Sequence, residues 1–323
     1  MKGQVMKSFG YSLVLAASLA TSSAMAADMA TKAPPAPPPA VSPWDVAISA
    51  ALMTDYNFRG ITQSAHNPST QAGFEPRYNF SSTLQGYVGI SGESIDFPNH
   101  AAAEIDFYGG IRPTFDKLAL DFGFWEYYYP GGQCFATFVP GCNPTLANGN
   151  AAKEAASFYE WYAKAVYTLS DQWAVGLQEW YSPSVANTGS VGWYTVGNIT
   201  YTAPSTWFAS GFGGYASADL GYWDLGKSDA FYGIGAGVPA GDPYKSFWDW
   251  DAGIGFTYKA FTLDLRYYDT NLNKGDCNAF TSDYTAGGTA SPTTANPGGA
   301  SSNWCGAAYI AKLSFAANLS GLK

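Results

Sequence analysis

The strongest constraint on the fold is an alternation of apolar and polar residues in which the charged residues share one face. It is clearest in AEIDFYGGIRP (residues 103–113), WDWDAGIGFTY (248–258) and AFTLDLRYY (260–268). A period of two is that of a β-strand, because successive side chains point to opposite faces of a sheet. Soluble β-sandwiches and lipid-embedded barrels both contain such strands, so the pattern predicts an all-β fold of one of these two kinds.

The composition separates the two kinds of fold. Charged residues make up 13% of the chain and aromatic residues 17%, whereas soluble domains contain about a quarter charged residues. After residue 26 no apolar run reaches the ~18 residues that a transmembrane helix requires. In a transmembrane barrel the apolar face contacts lipid and the charged face lines the lumen. We therefore predict a transmembrane antiparallel β-barrel, with a secreted β-sandwich as the alternative.

The first residues have the pattern of an export signal. Residues 1–26 contain two lysines, the apolar run YSLVLAASLA and a final AMA that fits a cleavage site. The stretch TKAPPAPPPAVSP follows, and residues 27–43 are predicted to be an extended Ala/Pro-rich periplasmic linker. Residues 44–323 remain for the barrel, which we expect in the cell outer membrane. The net charge of −9 argues against a basic nucleic-acid surface.

Twelve strands are predicted. They cover residues 44–58, 72–81, 84–96, 103–113, 117–129, 157–169, 172–181, 191–202, 205–218, 246–258, 261–271 and 305–316. Every second connection is short, at residues 81–83, 115–117, 170–172, 203–205 and 259–260. The others are mostly longer, at residues 60–71, 97–102, 130–156, 182–190, 219–245 and 272–304. Short periplasmic turns that alternate with long extracellular loops are typical of an outer-membrane barrel.

The first predicted strand leads into the segment YNFRGITQSAHNP (residues 56–68). Its outward face is apolar, with aromatic residues at both ends, and comprises Trp44, Val46, Ile48, Ala50, Leu52, Tyr56 and Phe58. The opposite face contains Asp55 and Arg59, which places Arg59 inward at the outer mouth. Glu93 on the third strand is at a similar height, so we expect Arg59 to pair with carboxylates there. A partly solvated pair of this kind contributes about 1 kcal/mol or less.

Several motifs resemble those of the TorF porin family of proteobacteria. They are YNFRGITQS (residues 56–64), GYVGISGESIDF (86–97), EIDFYGG (104–110), YYYPG (127–131) and FYEWYAKAVY (158–167). The FRG-x-x-Q-S part is fairly specific, and the resemblance covers most of residues 44–200. It implies a β-barrel that passes small solutes across the outer membrane, without naming a substrate.

The proposed lumen face contains both acidic and basic residues. Those predicted to line it are Asp55, Arg59, Glu75, Arg77, Glu93, Glu104, Asp106, Arg112, Asp121, Glu160, Lys164, Asp249, Asp251, Asp264, Arg266 and Lys312. One interpretation is a porin-like channel with a mild preference for cations. The other is a plugged interior of ion pairs in a structural or adhesive barrel, because twelve strands enclose less room than the sixteen to eighteen of general porins.

Two patterns on this face could carry other chemistry. Glu104/Asp106 and Asp249/Asp251 are carboxylate pairs spaced to lie on one face of a strand, which could hold a divalent cation or serve in acid/base catalysis. Solvated lumen lining is the simpler interpretation, and we predict no metal and no cofactor.

His66 and His100 both lie in or next to predicted outer loops. A catalytic Ser-His arrangement would require one of them beside an inward or rim Ser or Asp, and His66 has Ser64 and Ser69 nearby. Polar loops contain such neighbours by composition alone, so we do not expect an enzyme. The expected partners are outer-membrane lipid and lipopolysaccharide, small solutes or ions, and the barrel-assembly machinery. No nucleic-acid partner is expected, and the oligomeric state is left open.

Four cysteines lie in or beside the two longest predicted outer loops. Disulfides are expected in an exported chain, and we predict the pairs Cys134–Cys142 and Cys277–Cys305. Neither pair has the C-x₂₋₄-C spacing of a zinc site.

The alternation of short and long connections predicts that residues 285–300 lie outside the cell. A peptide tag inserted near Gly288 should therefore be labelled on intact cells. Labelling that requires an opened outer membrane would invert the topology.

Overall fold

The alternating segments form a closed barrel of twelve antiparallel strands in the computed structural model, which describes residues 43–235, 241–290, 292, 296 and 298–319. Barrel strands that follow one another along the chain are paired, and the first barrel strand also pairs with the last, which closes the ring. The barrel strands are β1 (Trp44–Met53), β4 (Ser69–Ser81), β5 (Leu84–Glu93), β6 (Glu104–Phe115), β7 (Leu118–Tyr128), β8 (Phe158–Thr168), β9 (Trp173–Ser182), β10 (Gly192–Thr202), β11 (Phe212–Leu225), β12 (Phe247–Tyr258), β13 (Phe261–Thr270) and β14 (Ala308–Asn318).

Shorter elements lie in the long connections. Strands β2 (Asn57–Phe58) and β3 (Ile61–Thr62) form a separate two-stranded hairpin. The described helices are α1 (Ala230–Gly235) and α2 (Lys274–Thr281). At the start of α2 the Asn273 side chain accepts hydrogen bonds from two backbone N–H groups, which satisfies donors left free by the first turn. Among the described residues, neither helix has the length and apolar character required to cross a membrane.

The two faces of the barrel wall differ sharply. Apolar side chains of the outer face are exposed, as at Leu52 and Val88, which are 61% and 62% accessible. Charged side chains of the inner face are buried, as at Glu75 and Arg77, which are 1% and 2% accessible. Exposed aromatic residues also mark the end of the barrel where the short turns lie: Trp44, Phe115, Trp173, Phe212, Tyr258 and Phe261. The alternation therefore produces a molecule that is apolar outside and charged inside.

Ten predicted strands agree with observed ones to within three residues at each end, the first ends earlier than predicted and the ninth is displaced. We predicted residues 205–218, but β11 is Phe212–Leu225. The predicted short turn at 203–205 is instead a nine-residue connection that includes a 3₁₀ turn at Ser205–Trp207. The aromatic residues at 207 and 208 continue the apolar pattern without joining the sheet, so periodicity alone could not locate the strand's start. One consequence is that Asp219, predicted to lie in a loop, is on the inner face.

The end of the first strand also differs from the prediction. We expected a strand over residues 44–58 with Tyr56 and Phe58 facing outward, but β1 ends at Met53. Tyr56 and Phe58 are 3% and 7% accessible and lie inside the barrel mouth. The chain turns inward after Met53, because the Asp55 carboxylate accepts hydrogen bonds from side chains further along the same loop. Residues 54–68, which we call the inner loop, therefore lie in the mouth rather than on its rim.

Both predicted disulfides are present. Cys134 and Cys142 close a small ring in the connection between β7 and β8, and Cys277 joins α2 to Cys305 before β14. Cys305 forms an isolated β-bridge with Ile61 of the inner loop. The second disulfide therefore connects α2 to the chain segment that contacts the inner loop.

The two disulfides should contribute unequally to stability. Their sequence separations are 8 and 28 residues, and the larger ring restricts the unfolded chain more. Replacing Cys277 and Cys305 by alanine should lower the free energy of unfolding by about 1 kcal/mol more than the same replacement at Cys134 and Cys142. Urea unfolding of the detergent-folded proteins measures both variants. Equal losses, or free thiols in non-reducing peptide maps of the exported protein, would contradict this assignment.

Candidate functional site

The inner loop places a tight turn in the barrel. The β2–β3 hairpin turns at Arg59 and Gly60, which have φ values of 52° and 77°. Positive φ at both central residues is the requirement of a type I′ turn. A Cβ atom at Gly60 would overlap the Thr270 side chain on β13, so glycine is required by space as well as by backbone geometry. Arginine at positive φ costs roughly 1–2 kcal/mol, and its side-chain contacts must offset that cost.

Arg59 makes those contacts with the opposite wall. Its Nη1 and Nη2 donate to Oε1 and Oε2 of Glu160 on β8, at 2.9 Å and 2.6 Å. Tyr127 also donates to Glu160, at 3.1 Å. The Arg59 and Glu160 side chains are 0% and 1% exposed. Removing one partner of a fully buried pair leaves an uncompensated charge, which lowers the free energy of unfolding by about 3–5 kcal/mol.

Aromatic rings surround the Arg59 guanidinium. Its central carbon lies 4.2 Å, 4.4 Å and 4.6 Å from the ring centroids of Tyr194, Trp223 and Phe58. A cation near the face of an aromatic ring is attracted by the ring quadrupole, and the attraction increases when water is excluded. The turn, the ion pair and the rings thus hold the inner loop in one position.

The predicted environment of Arg59 was therefore wrong in two respects. Its partner is Glu160 rather than Asp55 or Glu93, and the pair is buried rather than partly solvated. The prediction treated Arg59 as the end of a continuous first strand, at the height of Glu93 on β5. The inward turn of the inner loop instead brings it to β8, so its removal should affect folding more than we expected from the sequence.

Asp55 organises the inner loop from within. Its carboxylate accepts from the hydroxyls of Thr62 and Ser64, and it lies 2.8 Å from Nδ1 of His66. The other imidazole nitrogen of His66 is 2.9 Å from the carbonyl oxygen of Asn303. Both nitrogens therefore face acceptors, and the hydrogen bond to Asp55 raises the pKa of His66. Because Nε2 is bonded to a carbonyl group, His66 is not placed to take a proton from Ser64.

Below the inner loop, one half of the lumen contains an ion-pair network on β4, β6 and β7. Arg112 donates to both carboxylate oxygens of Glu75, at 2.7 Å and 3.1 Å, and through Nε to Asp121 at 3.1 Å. Arg77 also pairs with Glu75. Lys164 on β8 lies over aromatic rings, with Nζ 4.5 Å from the centroid of the Trp180 ring. The arginines and carboxylates of this network thus compensate one another on the inner face.

A second network occupies the wall formed by β11, β12 and β13. Arg266 pairs with Asp251 and, at 3.1 Å, with Asp264. Its Nη1 is also 3.7 Å from a carboxylate oxygen of Asp219, the inward residue that the strand prediction missed. Asp249 on the same wall accepts from the Tyr194 hydroxyl at 3.0 Å. A sequence prediction that started β11 at Phe212 would have placed Asp219 in the strand and on its inner face.

A third group is acidic. Glu93, Glu104 and Asp106 lie together on β5 and β6, and one carboxylate oxygen of each is within 4.8 Å of the others. Glu104 accepts from the hydroxyls of Tyr56 and Tyr129, at 2.6 Å and 2.8 Å. Sequence reasoning missed these tyrosines, since aromatic residues near a strand end were assigned to the lipid interface. Lys312 on β14 donates to Gln71 at 3.0 Å, and Gln71 in turn donates to Glu93 at 2.8 Å.

All the predicted lumen residues lie on the inner face of the barrel or in the inner loop. At the level of the inner loop, Arg59, Glu160, Tyr127, Tyr194 and Trp223 are each at most 2% accessible. These five side chains are therefore packed against one another where the inner loop crosses the barrel. An apolar cavity of about 110 Å³ lies at the mouth, lined by Phe58, Phe97, Phe158, Trp223 and Phe280 among others.

Comparison with known proteins gives a partial family match. Residues 38–145 match the family described as "Bacterial protein of unknown function (Gcw_chp)". No curated protein sequence matches the chain. The resemblance to the TorF porin family stays a prediction, because the matching family is described only as one of unknown function.

Several solved structures match this chain at low identity and low structural similarity. The NanC porin is 8% identical over 84% of this chain and 98% of its own, with a TM-score of 0.42. The KdgM porin is 9% identical over 83% and 98%, with a TM-score of 0.39. LpxR from Salmonella typhimurium is 8% identical over 84% and 99%, also with a TM-score of 0.39. Similarity at this level carries no argument about function.

The geometry around His66 predicts a pH dependence. Because the folded-state pKa is raised above the reference value of 6.5 by the Asp55 carboxylate, the stabilisation from the ion pair is complete below about pH 6.5 and is lost as the pH rises through the raised value. An NMR titration of the imidazole in detergent, with His100→Gln to leave one histidine, should give a midpoint above 6.5. Asp55→Asn should lower that midpoint. An unchanged midpoint would show that Asp55 is not the partner.

Proposed function

We propose that this chain is a porin-like outer-membrane barrel whose passage for small solutes is closed, in this state, by the inner loop. The observation that carries the proposal is the bidentate contact of Arg59 with Glu160 across the lumen, between side chains that are 0% and 1% exposed. The turn at Arg59 and Gly60 cannot leave the lumen without breaking this contact. Conduction therefore requires the inner loop to move.

The outer face supports the membrane location. Exposed apolar side chains cover the wall, and exposed aromatic residues lie at the strand ends, as expected at a lipid–water interface. The predicted signal peptide, residues 1–26, and residues 27–42 of the linker lie outside the described residues. Lipid, lipopolysaccharide and the barrel-assembly machinery remain the partners we propose, and the passage would serve small solutes or ions.

The lining supports a mild preference for cations, because acidic residues outnumber basic ones among the inward-facing side chains. A passive role fits the inner loop better than a catalytic one. Both imidazole nitrogens of His66, the candidate base, face hydrogen-bond acceptors, the Asp55 carboxylate and the carbonyl oxygen of Asn303. The Ser64 hydroxyl contacts Asp55 rather than the imidazole.

A structural barrel is the second candidate, and one observation favours it. The lumen below the inner loop is also filled, by the Arg112 network with Glu75 and by the Arg266 network with Asp251. If these networks remain in place when the inner loop moves, no passage opens. The long outer loops would then be the functional part of the molecule.

Conductance in planar bilayers separates the two candidates. The double variant Arg59→Gln/Glu160→Gln removes the contact without leaving either charge unpaired. We expect the wild-type protein to be closed for most of the recording, and the double variant to open more often and to favour K⁺ over Cl⁻. The control is Lys153→Gln/Asp229→Asn, which removes an ion pair from the outer loops and should behave as wild type.

Two results would contradict the proposal. Silence in both the wild type and the Arg59/Glu160 variant, with both proteins migrating as heat-modifiable barrels on gels, would favour the structural barrel. Steady conduction by the wild type, equal to that of the variant, would show that the inner loop does not close the lumen.

A further inference from the structure

The acidic cluster of Glu93, Glu104 and Asp106 has the geometry of a cation site. Glu93 is opposite Glu104 in the β5–β6 register, and Asp106 follows two residues later on the same face. One carboxylate oxygen of each residue lies within 4.8 Å of the other two. Calcium–oxygen distances are about 2.3–2.6 Å, so a single ion between the three oxygens could reach all of them.

Unpartnered oxygen atoms provide an independent observation. Oε2 of Glu93 and Oδ1 of Asp106 are buried and have no hydrogen-bond partner among the described residues. The other oxygen of each group is held by a donor, since Gln71 donates to Glu93 and Ser91 to Asp106. A buried carboxylate oxygen without a partner is costly. The donors therefore fix each carboxylate and leave one oxygen of Glu93 and one of Asp106 without a partner.

The charge balance of the cluster differs from that of the other lumen carboxylates. Glu160 and Glu75 each pair directly with arginine. In the described part of the chain, no Lys, Arg or His nitrogen forms an ion pair with the three clustered residues, and Lys312 reaches Glu93 only through the Gln71 side chain. A divalent cation would supply the positive charge that the protein does not place there.

We propose that Glu93, Glu104 and Asp106 bind a divalent cation, with Ca²⁺ the best match. The ligands are all carboxylate oxygens. Hard cations such as Ca²⁺ prefer oxygen ligands, whereas softer metals prefer nitrogen or sulfur. Tyr56 and Tyr129 donate to the two oxygens of Glu104 and so orient it, as outer hydrogen bonds orient ligands in metal sites. Because Tyr56 belongs to the inner loop and donates to Glu104, a bound ion would also stabilise the contact between this loop and β6.

Terbium luminescence tests the site directly. Tb³⁺ takes the same oxygen ligands as Ca²⁺. Tyr56 and Tyr129 are hydrogen-bonded to Glu104, so their rings are close enough to sensitise its emission. Since the cluster is buried, Tb³⁺ is added while the purified mature protein folds into detergent. We expect saturable sensitised emission that Ca²⁺ displaces. Glu93→Gln and Asp106→Asn should each weaken binding by about tenfold or more, because affinity depends on the number of charged ligands.

The matched control is Asp249→Asn, which removes one buried lumen carboxylate outside the cluster and should bind as wild type. Gel mobility shows whether each variant forms the barrel. Absence of Ca²⁺-displaceable emission from the folded wild type would overturn the proposal. So would wild-type affinity in both Glu93→Gln and Asp106→Asn, or an equal loss in the Asp249→Asn control.

Discussion

The position of the inner loop depends on one buried ion pair, between Arg59 and Glu160. Arg59 cannot be desolvated at low cost, and the structure compensates it with a bidentate carboxylate, the hydroxyl of Tyr127 on that carboxylate, and aromatic faces on several sides. The positive φ at Arg59 and Gly60 aims the side chain at Glu160. The position of the inner loop and the burial of Phe58 beside it follow from that contact.

The same physical rule organises the rest of the interior. Arginines below the inner loop are matched by nearby carboxylates on the inner face, as Arg112 is by Glu75 and Asp121 and Arg266 is by Asp251 and Asp264. The cluster of Glu93, Glu104 and Asp106 departs from this pattern, since its members face one another without a basic partner among the described residues. A barrel of twelve strands is narrow, so long charged side chains on its inner face can reach one another.

The sequence predicted the wall well and the interior contacts poorly. Alternation and the placement of charges identified the twelve strands, their order and the inner face, because strand periodicity is a local property. It failed at residues 54–58, where the outward parity of Tyr56 and Phe58 continues across a turn that leaves the sheet. It also failed at the start of β11, where aromatic residues precede the strand. The partner of Arg59 depends on the path of the inner loop across the lumen, which no local pattern records.

A double-mutant cycle on Arg59 and Glu160 tests the central contact most directly. Urea unfolding in detergent would be measured for the wild type, Arg59→Gln, Glu160→Gln and the double variant. A directly bonded buried pair should give a coupling energy of about 2 kcal/mol or more, with the double variant more stable than the sum of the single losses implies. Additive losses would show that the two side chains do not meet, and the inner loop would then not close the lumen as described.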